Sequence, residues 1–257
     1  MKRINKFIRN LKNKNNGKQY PPHVQSSFLF KCNKRKRILL YTDSRGINVP
    51  GYFFYKHYSI KLLTKYEMDE YLCPEKWTTI LDFLHLWKKL QKNDYDFVIL
   101  HAGIVDTSPR SQTIARENIY IDKKEIFDEV FGEKKIKNYL NSDLNCEYEG
   151  DKTINLYSLQ MLEEDLIPQL LQIPNLIWIS PNKINTAWRG NYWKDRPENI
   201  RIVEDYAKIF LSNLHCNINL LDLWSLEDVK KFTFDNIHPN EQGSDTIYSK
   251  LIEVLES

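Results

Sequence analysis

Short apolar runs separated by longer amphipathic stretches constrain this chain of 257 residues more than any other feature. Arg37–Tyr41 (RILLY), Phe97–His101 (FVILH), Leu176–Ser180 (LIWIS) and Ile218–Leu223 (INLLDL) have the length and apolar content of buried strands. Tyr58–Leu63 reads as a weaker strand. Trp77–Leu90 places Ile80, Leu81, Leu84 and Trp87 on one helical face. Ile154–Gln172 predicts a long helix bent or ended near Pro168, and Gly243–Leu255 a closing helix. Asp195 and Glu198 flank Pro197 as a capping box would, ahead of a helix over Ile200–Leu214. The polar region 110–150 is harder to assign, with Lys123–Leu140 read as helical. Short strands alternating with amphipathic helices predict an α/β chain with a parallel central sheet covered on both faces, an α/β/α sandwich.

Charge divides the chain differently. Of its 37 Lys and Arg, 12 fall in residues 1–42, which hold no Asp or Glu; the other 25 face 34 acidic side chains, a net of −9. Residues 1–36 therefore read as a basic arm and linker ahead of one domain over 37–257. Ile4, Phe7, Ile8 and Leu11 recur at helical spacing among Lys2, Arg3, Lys6, Arg9 and Lys12. Such a stretch, residues 1–18, either is a solvated or body-packed helix or lies on an anionic membrane surface. Nucleic acid is disfavoured as a partner, because nothing downstream continues the basic patch. No apolar run approaches the roughly 20 residues needed to span a bilayer. Cys32, Cys73, Cys146 and Cys216 lie far apart without metal-ligand spacing. They predict no zinc site and no disulfide framework, and a reducing, cytoplasmic setting, with the arm at the inner face of the membrane as one option.

Active sites of parallel sheets form beyond the carboxyl ends of the strands. Three polar clusters sit there: Asp43-Ser44-Arg45, His101-Ala102-Gly103 running to Asp106, and Ser180-Pro181-Asn182. Asp, Ser and Gly also suit plain turns, so Ser44 needs partners before it reads as a nucleophile. Asp235 and His238, three apart before the last helix, supply a candidate base and the acid that orients it.

Together these two stretches, D-S-R-G after the first strand and D-N-I-H-P before the last helix, resemble the SGNH, or GDSL, hydrolase family. The resemblance runs from about residue 37 to the end and implies a flavodoxin-like three-layer α/β/α fold. It implies Ser44 as nucleophile, His238 as general base and acid, Asp235 as the residue orienting His238, and no metal or organic cofactor. The family's G-D-S begins here with Thr42. Its G-x-N-D block appears as Gly103-Ile104-Val105-Asp106, so the Asn that donates to the oxyanion is Val105. Losing one such donor costs roughly 10²–10³ in kcat. Either the Ser44 N–H, backbone amides of Leu72–Leu81 (LCPEKWTTIL) and a side chain such as Asn182 compensate, or catalysis is weak.

Other residues border this predicted crevice. Gly103 allows a sharp turn beside the site, and Asp106 is expected to brace loops there. His101, ending an apolar strand, reads as a core histidine rather than a rival base. Arg45 and Arg110 are either internal ion-pair partners or captors of an anionic substrate such as an acidic sugar. Trp188, Tyr192 and Trp193 are either a small satellite core or a stacking platform for sugar rings. The resemblance favours small acyl esters on carbohydrate, in surface-polysaccharide metabolism. An O-acyltransferase with the same triad and a non-catalytic glycan-binding relative stay open.

Overall fold

The computed structural model of the chain describes residues 23–25, 36–47, 56–90, 95–133, 135, 143–192 and 194–257. Six strands form the main sheet: β1 His23–Gln25, β2 Arg37–Thr42, β3 Glu67–Leu72, β4 Phe97–His101, β8 Leu176–Ile179 and β9 Asn217–Ile218. Their order is β1-β3-β2-β4-β8-β9; β1 runs antiparallel to β3, and every other neighbouring pair is parallel. From β2 the chain goes outward to β3, then crosses back to β4 on the other side. The β2/β4 boundary is therefore the point where strand order reverses, the place where such sheets open a ligand crevice.

Alternation along the buried strands feeds two cores. Leu39, Tyr41, Val98, Leu100 and Trp178 meet helices α2 Ile80–Lys89, α3 Ile121–Phe131 and α4 Ile202–Asn213, together with residues Leu159–Leu171. Ile38, Leu40, Ile99, Ile177 and Ile218 meet α1 Tyr58–Leu63 and α5 Glu241–Glu256 on the opposite face. The result is the predicted three-layer α/β/α sandwich. Among the described residues no helix is long and apolar enough to cross a membrane. The basic stretch 1–18 lies outside the described residues.

Four sequence expectations are corrected. Tyr58–Leu63 is helical, and the strand follows it at Glu67–Leu72, a segment its acids disguise. Asp69 is matched there by Arg37 and the Tyr95 hydroxyl, at 3.1 and 2.8 Å. Burial raises the Glu70 carboxyl well above the usual carboxylate range, which favours its neutral form in the sheet. Ile154 ends a strand rather than starting a helix; Ser158 caps the helical stretch by accepting from the Met161 N–H. That stretch widens into a π segment at Leu162–Leu166, just before Pro168, which lacks an N–H. Asn219 stops the last strand at Ile218, because its side chain accepts from the Leu221 and Asp222 N–H groups and starts a helical turn. Asp195 and Glu198 form no capping box: α4 starts at Ile202 without a side-chain cap, and Asp195 instead pairs with Arg189.

A second, antiparallel sheet was not apparent in the sequence. It joins β5 Arg110–Ser111, β7 Asp151–Ile154 and β6 Asp143–Tyr148 in that order. Helix α3 covers only part of the expected Lys123–Leu140, passing at Phe131 into Gly132 with φ +90°.

Candidate active site

β2 and β4 end level, with Thr42 opposite His101, and the Asp43 N–H donates to the His101 carbonyl at 2.9 Å. There the chain makes a single 3₁₀ turn, Ser44–Gly46. Asp43 caps it by accepting from the Arg45 N–H at 2.9 Å, and the Arg45 guanidinium closes back on the same carboxylate at 2.8–3.2 Å. Both side chains are buried, so the turn is a rigid fork beneath Ser44. Gly46 is required by space: a Cβ there would stand 2.2 Å from the Thr42 side chain.

From the opposite side, the loop before α5 brings in Asp235 and His238. Ser44 Oγ lies 2.9 Å from His238 Nε2, and His238 Nδ1 lies 2.7 Å from Asp235 Oδ2. The other carboxylate oxygen accepts from the His238 and Ile237 N–H groups at 2.8 and 3.2 Å. Burial alone would raise the Asp235 carboxyl. The hydrogen bonds and charge of His238, with Arg196 farther off, outweigh it and bring it down to about 2. Asp235 is thus an anion throughout the neutral range, accepting from Nδ1–H and leaving Nε2 to accept from the serine hydroxyl.

The loop is held by residues that sequence reading passed over. Asn236, at φ +76°, donates from its amide to the Asn185 and Trp188 carbonyls at 2.8 and 2.9 Å and accepts from the Asn185 N–H at 2.9 Å. Arg196 donates to the Asp235 carbonyl at 2.7 Å. The D-N of D-N-I-H was the available signal, since an Asn at a left-handed position can bond across loops. Gly190 completes the clamp at φ +62°, where a Cβ would lie 2.6 Å from the Phe234 carbonyl oxygen and 2.9 Å from Asp235 Cα. Gly190→Ala is accordingly expected to destabilise the chain by about 1–3 kcal/mol in urea melts. A melt unchanged from wild type would show that the loop yields freely.

The remaining expected site residues divide. Arg110 and Tyr192 line the cavity of about 540 Å³ that opens on Ser44 and His238, as do Trp77 and Tyr148. Arg45 does not, because it is spent on Asp43. Asn182 is no oxyanion donor: its amide donates to the Lys183 and Asn236 carbonyls at 2.7 and 2.9 Å. The start of α2 is equally committed, with the Thr79 N–H on Asp82 and the Ile80 N–H on Asp106. Val105 lines the cavity and offers it only carbon. Gly103, at φ +127°, turns the chain out of β4, and Asp106 braces that turn against α2. Burial pushes the Asp106 carboxyl up to about 7, against the lowering bonds from Tyr157 and Ile80. His101 is a core residue, buried with Nδ1 2.6 Å from the Tyr58 hydroxyl. Burial, then the Arg45 charge, pushes its pKa well below the usual imidazole range. Trp188 packs on the α5-side core and lines a neighbouring cavity, so it forms no platform with Tyr192. Trp193 lies outside the described residues. Among the described residues no group of three or more His, Cys, Asp or Glu is placed to hold a metal ion.

Two solved structures are similar in fold. One is a lipase/acylhydrolase from Enterococcus faecalis, 14% identical, with a TM-score of 0.47 over 85% of this chain and 94% of that one. The other is phospholipase A1 from Streptomyces albidoflavus NA297, 12% identical, with a TM-score of 0.44 over 87% of this chain and 99% of that one. No family model and no curated protein sequence matches the chain. The chemistry of the site therefore rests on its own geometry.

Proposed function

We propose that the chain is a serine-dependent ester hydrolase of the SGNH type acting on small acyl esters, acetyl esters foremost, of carbohydrate. The observation that carries this reading is the unbroken line Ser44 Oγ, His238 Nε2, His238 Nδ1, Asp235 Oδ2, at 2.9 and 2.7 Å. A serine hydroxyl is a weak nucleophile until an oriented imidazole takes its proton, and this line supplies both base and orienter. Ser44 attacks the ester carbonyl while its proton passes to Nε2. The imidazolium, stabilised by Asp235, then protonates the departing alcohol. Water enters, gives its proton to Nε2 and attacks the acyl carbonyl, and Ser44 leaves with that proton. The Ser44 N–H is the first candidate for the oxyanion, with the backbone of Lys76–Thr78 on the same cavity wall.

Support for a sugar comes from the three aromatic side chains on the cavity wall, Trp77, Tyr148 and Tyr192. Turnover of acetylated xylan or a peracetylated monosaccharide, followed by product analysis with and without a free sugar acceptor, tests the reading. Acetate as the product in both arms is expected. Acetyl transfer to the acceptor would make the chain an O-acyltransferase using the same triad. Binding of the glycan without release of acetate would make it a non-catalytic relative.

A further inference from the structure

Arg110 and Arg196 both stand on the wall of the Ser44 cavity, and neither is in ion-pair contact with a carboxylate among the described residues. An arginine serving only to hold structure spends its fork on partners, as Arg45 does on Asp43. Arg110 spends little. Its Nε donates to the Val105 carbonyl at 3.3 Å, and its guanidinium lies over the Trp77 ring, 5.2 Å from the centroid. Neither Nη group has a protein partner among the described residues. Arg196 donates one Nη to the Asp235 carbonyl and lies 4.0 Å over the Tyr192 ring. These contacts fix the two planes while leaving donors unspent, which is how a preorganised anion site is built.

The surrounding charges do not cancel them. Besides Asp43, held by Arg45, two carboxylates line the cavity, Glu75 and Glu149, against Lys76, Arg110, Lys194 and Arg196. Glu149 is taken by Lys194 at 2.6 Å. Asp106, the carboxylate acting most on Arg110, already accepts from the Ile80 N–H, and burial moves it toward its neutral form. Burial lowers the Arg110 guanidinium only to about 10, so it stays charged at neutral pH.

We propose that the Ser44 cavity selects esters carrying an anionic oxygen group, a carboxylate or a phosphate, which docks on the unspent fork of Arg110 with Arg196 beside it. This rests on the ester-cleaving reading above and narrows its substrate class. Arg110 is brought there by β5, so the small antiparallel sheet carries the specificity side chain to a crevice built by the main sheet.

The test is calorimetric binding to the Ser44→Ala protein, where esters stay intact. Three charged esters are used: para-acetoxybenzoate and para-acetoxyphenyl phosphate, charged on the alcohol side, and para-nitrophenyl hemisuccinate, charged on the acyl side. Methyl para-acetoxybenzoate, para-acetoxyphenyl methyl ether and para-nitrophenyl butyrate are their neutral counterparts. At least one charged ester is expected to bind roughly tenfold tighter than its counterpart. Arg110→Gln in the same background is expected to erase that ratio, and Arg110→Lys, which keeps a cation without the fork, to retain part of it. Equal affinity in all three pairs, no measurable binding of any charged ester, or a ratio that survives both Arg110 variants overturns the proposal. Cleavage of these esters by the Ser44→Ala protein would instead sink the serine mechanism, and the charged-to-neutral ratio would then be read from kcat/KM on the same pairs, with and without Arg110→Gln.

Discussion

Ser44→Ala is expected to lower kcat for a short-chain aryl ester such as para-nitrophenyl acetate by roughly 10⁴–10⁶-fold. The effect should be this large because the hydroxyl is the bond-forming group, and no other described serine has the same geometry to His238. It should also be clean. The turn that presents Ser44 is held by the Asp43–Arg45 fork and by the Gly46 N–H on the Asp43 carbonyl, none of which uses Oγ. Losing one part-buried hydrogen bond costs about 0.5–1.5 kcal/mol, so a thermal melt should stay close to wild type. A serine-reactive fluorophosphonate should label wild type and spare the variant. Turnover by Ser44→Ala within tenfold of wild type, with the fold intact, would remove the nucleophile assignment.

The juxtaposition of Ser44, His238 and Asp235 was legible in sequence because its logic is local at each end. D-S-R-G closes a strand, and D-x-x-H sets acid and base in one turn, so only the distance between the two ends awaited the fold. Three of the central strands were legible for a similar reason, since residues 38–41, 98–101 and 176–179 are buried and read as continuous apolar runs. What failed was wherever burial and polarity disagree. Glu67–Leu72 looks like a surface segment because Asp69 and Glu70 enter the core, one paired and one with its carboxyl pushed toward neutrality. Tyr58–Leu63 looks like a strand because its helix is too short for a 3.6 period to show against a face buried almost all round. Arg45 and Asn182 looked available because sequence shows donors and not the acceptors that use them. Arg196 and Asn236 were passed over for the converse reason: their partners are backbone carbonyls, which carry no signature in the sequence.

Asp235→Asn is expected to reduce kcat by roughly 10⁴-fold at neutral pH while leaving the loop in place. The asparagine Oδ1 can keep the bonds from the His238 and Ile237 N–H groups, so the backbone has no reason to move. What changes is the atom facing His238 Nδ1. A carboxylate accepts from Nδ1–H and leaves Nε2 free to take the Ser44 proton; an amide NH₂ placed there donates instead, which puts the ring proton on Nε2 and blocks the serine. The imidazolium formed during attack also loses its counter-charge. Stability supplies a second reading independent of turnover. Because the Asp235 carboxyl is depressed to about 2 in the folded chain, below its ordinary value near 3.8, its contribution is fully present above about pH 4 and is lost as pH falls through 2. The wild-type melt should therefore drop more steeply than that of Asp235→Asn between pH 4 and 2. Parallel acid limbs would show that Asp235 is not held by His238 in solution, and a variant with wild-type kcat would show that His238 works without it.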